Sequence, residues 1–199
     1  FLRAGPGFGG SCFKKDILNL VYLCRSYNLN EVANYWQQVV DINNWQQNRI
    51  FKKIVKNLFG NISGKKIVIF GFAFKANTND IRESPAIQIS VDLLLEGATL
   101  IFNDPVVSED QIKFALNVNQ LPDEENFQKQ IKFERDIYKS SVDADAIIIL
   151  TEWNCYKSIN WNIIEKKMRK PSWIFDTRGI IKHEEISKTN INFWQLGSN

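Results

Sequence analysis

Over the first sixty residues apolar side chains recur at helical spacing; after Gly64 they gather into short runs separated by helix-like stretches. Ile17, Leu18, Val21, Tyr22 and Cys24 predict a helix over about 13–27, with Ser11 as its cap. Asn30 is the expected cap of a second helix, because no Gly or Pro intervenes from Glu31 to Gly60. Its apolar positions are Val32, Trp36, Val39/Val40, Ile50/Phe51, Ile54/Val55 and Leu58/Phe59, while Asn43 and Gln47 keep the period but are polar. At ~1.5 Å per residue this helix is about 44 Å long, suited to linking domains or meeting a second copy of the chain. Two helices with a break near Asn43-Asn44 are the alternative.

The later runs are Lys66–Gly71, Thr99–Asn103, Ile131–Phe133, Ala146–Leu150 and Trp173–Asp176, with Ile191–Trp194 as a sixth. Helices are predicted at Ser84–Glu96 and Ile159–Met168, and a small one ends in Val142–Asp145. Residues 106–130 read as a loop with a partial helix. Val/Ile-rich strands alternating with helices predict an α/β fold with a parallel, doubly wound sheet covered on both faces.

Composition narrows the classes. Hydrophobic residues make up 44% of the 199 and charged residues 24%, which excludes wholesale disorder. No apolar run approaches the roughly 20 residues of a membrane span. A net charge of +3 with the signs interspersed argues against a nucleic-acid surface. Three cysteines and one histidine argue for a reducing, cytoplasmic setting with neither a disulfide scaffold nor a metal site. The chain opens at Phe1 inside a glycine-rich loop, Gly5–Gly10, and reads as a fragment of something larger.

Three places carry candidate chemistry. Cys12 stands at a helix start, where free N–H groups and the positive dipole end favour thiolate; Lys14 and Lys15 add charge. Asp16 lies one turn along the same face, so a nucleophile and a carboxylate able to help activate water are paired. A small residue packed at a helix start is the plainer reading. The second place is Gly71-Phe72-Ala73-Phe74-Lys75, the turn after the first strand, where doubly wound folds bind phosphate or nucleotide. Ala73 and Ala76 replace the later glycines of a dinucleotide fingerprint, so Phe74 and Lys75 read as an aromatic and a cation facing a base or sugar, with Arg82 further on. The third is Asp176-Thr177-Arg178-Gly179 at the end of the fifth strand, where Arg178 can clamp a hydroxyl or phosphate or simply form a local salt bridge. Cys24 and Cys155 read as structural and His183 as a surface residue.

Taken together, GFGGSCFKKD (7–16), GFAFKANTNDIRES (71–84), TEW (151–153) and FDTRG (175–179) resemble the UDP-glucose branch of the UDP-glucose/GDP-mannose dehydrogenase family, over essentially the whole chain. Phe13 with Lys15-Asp16 favours that branch, and YWQQV (35–39) its animal type. The resemblance implies a catalytic-cysteine loop and central dimerisation helices over 1–62, then a Rossmann-like UDP-sugar-binding domain over 63–199. It implies NAD-dependent two-step oxidation of UDP-glucose to UDP-glucuronate through a cysteine thioester, by a homo-oligomer built on the long helix. By position Cys12 matches the nucleophile and Asp16 the aspartate that assists water. Phe1, Leu2, Arg3, Gly5, Phe8, Gly9, Phe13, Phe74, Lys75 and Arg178 match substrate contacts, and Arg82 an arginine that reaches NAD.

Two departures stand out: the family's NAD domain and catalytic lysine are not in this chain, and Ala76-Asn77 replace its Lys-Asp. The chain alone is therefore expected to be inactive. A dehydrogenase of GDP-mannose or a UDP-amino sugar, and a non-catalytic nucleotide-sugar-binding or dimerisation module, stay open as alternatives.

Overall fold

The computed structural model describes residues 3–116 and 124–198. Its first helix, α1 (Phe13–Ser26), begins where the periodicity places it but is not capped by Ser11: Cys12 holds the cap position, no side chain closes the helix start, and the Ser11 hydroxyl lies 3.6 Å from the Cys12 sulfur. The second helix, α2 (Asn30–Asn57), has Asn30 as its first residue rather than its cap. It runs unbroken through Asn43-Asn44 for 28 residues, about 42 Å. The two-helix alternative falls away.

Both helices share a small core of Ile17, Val21, Cys24, Ala33 and Val40, with Phe8, Trp36 and Val39 packed against it. Trp36, Val39 and Val40 therefore pack on the side of α2 that meets α1, Val40 buried and the other two half-buried. The exposed apolar side chains of α2 lie on another stripe, Val32, Tyr35, Ile42 and Trp45. Further along, Ile50 and Ile54 leave the small core and enter the main one.

The main core surrounds a sheet. In chain order its elements are β1 (Lys66–Phe70), α3 (Pro85–Leu95), β2 (Thr99–Asn103), α4 (Glu109–Ala115), α5 (Glu124–Gln130), β3 (Ile131–Phe133), α6 (Ile137–Ser140), β4 (Ala146–Ile149), α7 (Asn154–Lys157), α8 (Trp161–Lys167), β5 (Trp173–Asp176), α9 (His183–Ile186) and β6 (Asn192–Gln195). All six strands are parallel, in the order β3-β2-β1-β4-β5-β6. Ile67–Phe70 and Ala146–Ile149 are wholly buried, as strands covered on both faces must be. Each such Val, Ile or Phe side chain contributes roughly 1.5–3 kcal/mol relative to exposure.

The differences from the sequence reading are local. Ser108 and Gln111 form a reciprocal capping box that starts α4 inside the stretch expected to be mostly loop. The small helix expected to end in 142–145 ends at Ser140. Cys155, expected to be structural, is exposed in α7, whereas Cys24 is buried as expected. Among the described residues no helix is long and apolar enough to cross a membrane. The order in which strands are added reverses between β1, from which the chain moves outward to β2 and β3, and its other neighbour β4, from which it moves the opposite way to β5 and β6. A crevice opens beyond the carboxyl ends of these strands.

Candidate functional site

Two aspartates shape that rim. Asp104, at the end of β2, is buried and accepts from the N–H groups of Phe72 (2.7 Å), Ala73 (3.4 Å), Val106 (2.9 Å) and Val107 (2.9 Å) and from Trp153 Nε1 (3.1 Å). The N–H groups that a dinucleotide's diphosphate would need after β1 are thus already used. The missing glycines hinted at this; the carboxylate that replaces the phosphate carries no motif. Asp176 does the same after β5, accepting from the N–H groups of Arg178 (2.9 Å), Gly179, Ile180 and Ile181 (2.8 Å each). It folds the turn that presents Arg178. Gly71 is required where β1 and β4 exit side by side, since a Cβ there would lie 2.3 Å from Thr151 Cβ.

Arg178 is fixed at three points. Its Nε–H donates to the Leu150 carbonyl at 2.7 Å, Nη2 donates to the Phe74 carbonyl at 2.9 Å, and Nε lies 3.3 Å from Glu152 Oε2. Burial pulls its pKa below the usual arginine value, and the Glu152 charge opposes that shift. Arg178, Lys75 and Arg3 line one cavity of about 530 Å³, with Ala4, Glu152, Lys157, Gly179 and Ile180. Lys75 Nζ also lies 5.3 Å from the centre of the Phe74 ring.

The glycine loop is tied down from two sides. Asn43 of α2 accepts from Phe8 N–H at 2.8 Å and donates to the Phe8 carbonyl at 3.2 Å, and Gln46 donates to the Gly5 carbonyl at 3.2 Å. On the other side Gly10 N–H donates to the Arg82 carbonyl at 2.8 Å. A Cβ on Gly9 would lie 2.4 Å from the Glu83 carbonyl oxygen and one on Gly10 3.0 Å from the Phe74 ring, so the loop needs glycine to lie against that segment. The ring of Phe8 meets Phe13 edge-on at 4.7 Å.

Not every candidate comes together. Arg3, Lys75 and Arg178 share the cavity and Gly5 adjoins it, its Cβ position 3.5 Å from Arg178 Nη1. Gly9 lies against Phe74, while Phe8 is held by Asn43 and Phe13. Cys12, Phe13 and Asp16 are exposed at the start of α1 and do not line the cavity; Asp16 N–H donates to the Cys12 carbonyl at 2.9 Å, which sets the two one turn apart. Beside them Lys14 pairs with Glu83 at 2.7 Å. Arg82 is engaged by Asp80 through two hydrogen bonds, Nε to Oδ1 at 3.0 Å and Nη2 to Oδ2 at 2.8 Å. Asp80 raises the Arg82 pKa, with a smaller contribution from Cys12. Phe1 and Leu2 lie outside the described residues.

Residues 68–183 match the UDP binding domain of the UDP-glucose/GDP-mannose dehydrogenase family, and residues 1–45 its central domain. The chain is 43% identical to a UDP-glucose 6-dehydrogenase of Pongo abelii and 44% identical to one of Drosophila melanogaster. Each comparison takes in 99% of this chain but only 40% and 42% of the relative, so the chain spans about two fifths of their length. A solved UDP-glucose dehydrogenase from the archaeon Pyrobaculum islandicum shares the fold at a TM-score of 0.71 and 24% identity, covering 96% of this chain and 38% of that one.

Proposed function

The chain belongs to the UDP-glucose/GDP-mannose dehydrogenase family, and from that we propose that it supplies the reactive cysteine and the UDP-sugar site of a UDP-glucose 6-dehydrogenase. The observation that carries the reading is the convergence of Arg3, Lys75 and Arg178 on one cavity at the rim of the sheet, with the cysteine loop tied to the same rim through Gly10, Arg82 and Phe74. In this reading Lys75 and Arg178 hold the diphosphate of UDP-glucose, the fork of Arg178 suiting phosphate oxygens. Arg3, Gly5, Phe8, Gly9 and Phe74 add contacts to the nucleotide and sugar in this reading, and Phe1, Leu2 and Phe13 are assigned to the substrate from the family resemblance alone.

The sugar's C6 is directed at Cys12. The C6 alcohol is first oxidised to the aldehyde with loss of a hydride and its hydroxyl proton; the thiolate then adds to the aldehyde carbon, and loss of a second hydride and the hydroxyl proton from that adduct leaves a thioester on Cys12. Water then adds to the thioester carbon with Asp16 receiving its proton, and the C–S bond breaks to return the thiolate and release the carboxylate. NAD is the hydride acceptor for the two oxidations when bound. The turn after β1 does not fit a dinucleotide, because Asp104 occupies its N–H groups. In this reading the cofactor is held mainly outside this chain, and Arg82 at the exposed rim is the contact offered here.

The division at residue 62, with 1–62 building the cysteine loop and dimerisation helices and 63–199 the UDP-sugar domain, belongs to the same proposal. A homo-oligomer is supported by the exposed Tyr35, Ile42 and Trp45 stripe of α2, since surfaces of this kind are covered in assemblies. A cytoplasmic setting is part of the reading, because a thiol nucleophile must stay reduced. Spectrophotometry on the intact protein tests the proposal: UDP-glucose is expected to yield two NADH per UDP-glucuronate. Faster turnover of GDP-mannose or a UDP-amino sugar would make it a different nucleotide-sugar dehydrogenase, and binding without NADH would make it a binding module.

A further inference from the structure

Among the residues that line the cavity stand four cations, Arg3, Lys75, Lys157 and Arg178, and one acid, Glu152. A carboxylate there repels any anion that enters, so its place calls for a compensating role. Its contacts indicate one. Oε1 accepts from the N–H of Ala76, the residue after Lys75, at 3.3 Å. Oε2 lies 3.3 Å from Arg178 Nε. The Nε–H itself is directed at Leu150, so Oε2 holds the guanidinium by charge and is left buried without a hydrogen-bond donor of its own. Arg178 Nη2 is anchored on the Phe74 carbonyl, so the guanidinium and the 74–76 segment are held to each other twice, directly and through Glu152. Nη1 is the corner left facing Gly5 and the cavity.

We propose that Glu152 is a positioning residue whose carboxylate sets the separation of Lys75 from Arg178, so that the cavity prefers a nucleoside diphosphate, which bridges two cations, over a monophosphate, which needs only one. This rests on the reading of the cavity as a nucleotide site. The energetic logic is that of specificity: the repulsion weakens every anion, and only one long enough to engage both the anchored Arg178 and Lys75 recovers the loss.

Calorimetry of UDP and UMP against the intact protein tests this. In Glu152→Gln, which keeps the shape and the acceptor for Ala76, UDP is expected to bind about tenfold more weakly, while UMP, relieved of the repulsion, binds as in wild type or up to about threefold more tightly. KM for the UDP-sugar should rise more than kcat falls. In an Arg178→Lys background the same substitution should cost UDP nothing further. Should Glu152→Gln fail to fold, Glu152→Asp, which keeps the charge but cannot span the gap, is expected to show the same loss of discrimination. Equal weakening of UDP and UMP, as a purely structural role would give, or unchanged UDP binding, overturns the proposal. Failure of the wild-type protein to bind UDP or UMP would instead overturn the nucleotide reading of the cavity on which it rests.

Discussion

Asn43 in the middle of the long helix pairs with the backbone of Phe8 in both directions, accepting from its N–H at 2.8 Å and donating to its carbonyl at 3.2 Å. This side chain, with buried Gln47 one turn on, occupies the helix face that is apolar before and after it. The polar interruption of the stripe is therefore where the helix grips the loop leading to Cys12. Close packing enforces it: a Cβ on Gly7 would lie 2.6 Å from Asn43 Oδ1.

Asn43→Leu preserves the size and helical character of the position but leaves both polar groups of Phe8 unpaired. A loss of about 1–3 kcal/mol in urea denaturation is expected. Proteolytic cleavage within residues 5–10 should appear well before cleavage in the sheet. Stability and cleavage indistinguishable from wild type would mean that the loop is held by other contacts.

Asp176→Asn probes the turn that presents Arg178. The carboxylate accepts from four successive backbone N–H groups, 178–181, and from Gln195 Nε2 at 3.1 Å. An amide can direct only one oxygen at them, so its NH2 group would face donors inside a fully buried site. A destabilisation of roughly 3 kcal/mol is expected in chemical denaturation, on the cost of buried donors left without acceptors. A change under about 0.5 kcal/mol would show that water or a shifted turn replaces the acceptor.

The Asp80–Arg82 pair makes a titration test. The hydrogen bond from Arg82 holds the Asp80 carboxyl below its ordinary value of 3.8, against a smaller opposing effect of burial. A carboxyl depressed in the folded state adds stability that is present above pH 3.8 and is lost as pH falls through the depressed value. Carbon-detected NMR should find Asp80 titrating below 3.8, and Arg82→Ala should move it back up. An Asp80 midpoint that ignores Arg82→Ala would mean the pair does not persist in solution.

Much of this was legible in the residues, and what was not has common causes. The strands announced themselves because a parallel strand buried on both faces must be an unbroken apolar run, as Val68–Phe70 and Ala146–Ile149 are. The α4 start was also written, since Ser108 and Gln111 have capping-box spacing, but the weak apolar pattern around them hid it. Helix periodicity located the stripe of Trp36, Val39 and Val40 without saying what covers it, and α1 does so within the chain. Glu152, Asp104 and Asn43 act on segments distant in sequence, Asp104 on Phe72 and Ala73, Asn43 on Phe8. No spacing rule joins such positions. Cys12 does stand at a helix start, as the periodicity after it predicts, although the cap expected of Ser11 is not formed.

The measurement closest to the central claim is the yield of UDP-glucuronate from Cys12→Ser in the intact protein, followed by chromatography with UDP-glucose and NAD supplied. A serine hydroxyl keeps the shape of the site at the exposed start of α1 but is far less nucleophilic than a thiolate. UDP-glucose should still bind within about threefold of wild type, while acid formation falls by at least about a thousandfold, roughly 4 kcal/mol of barrier. Acid formation at the wild-type rate would contradict the assignment of Cys12 as the nucleophile.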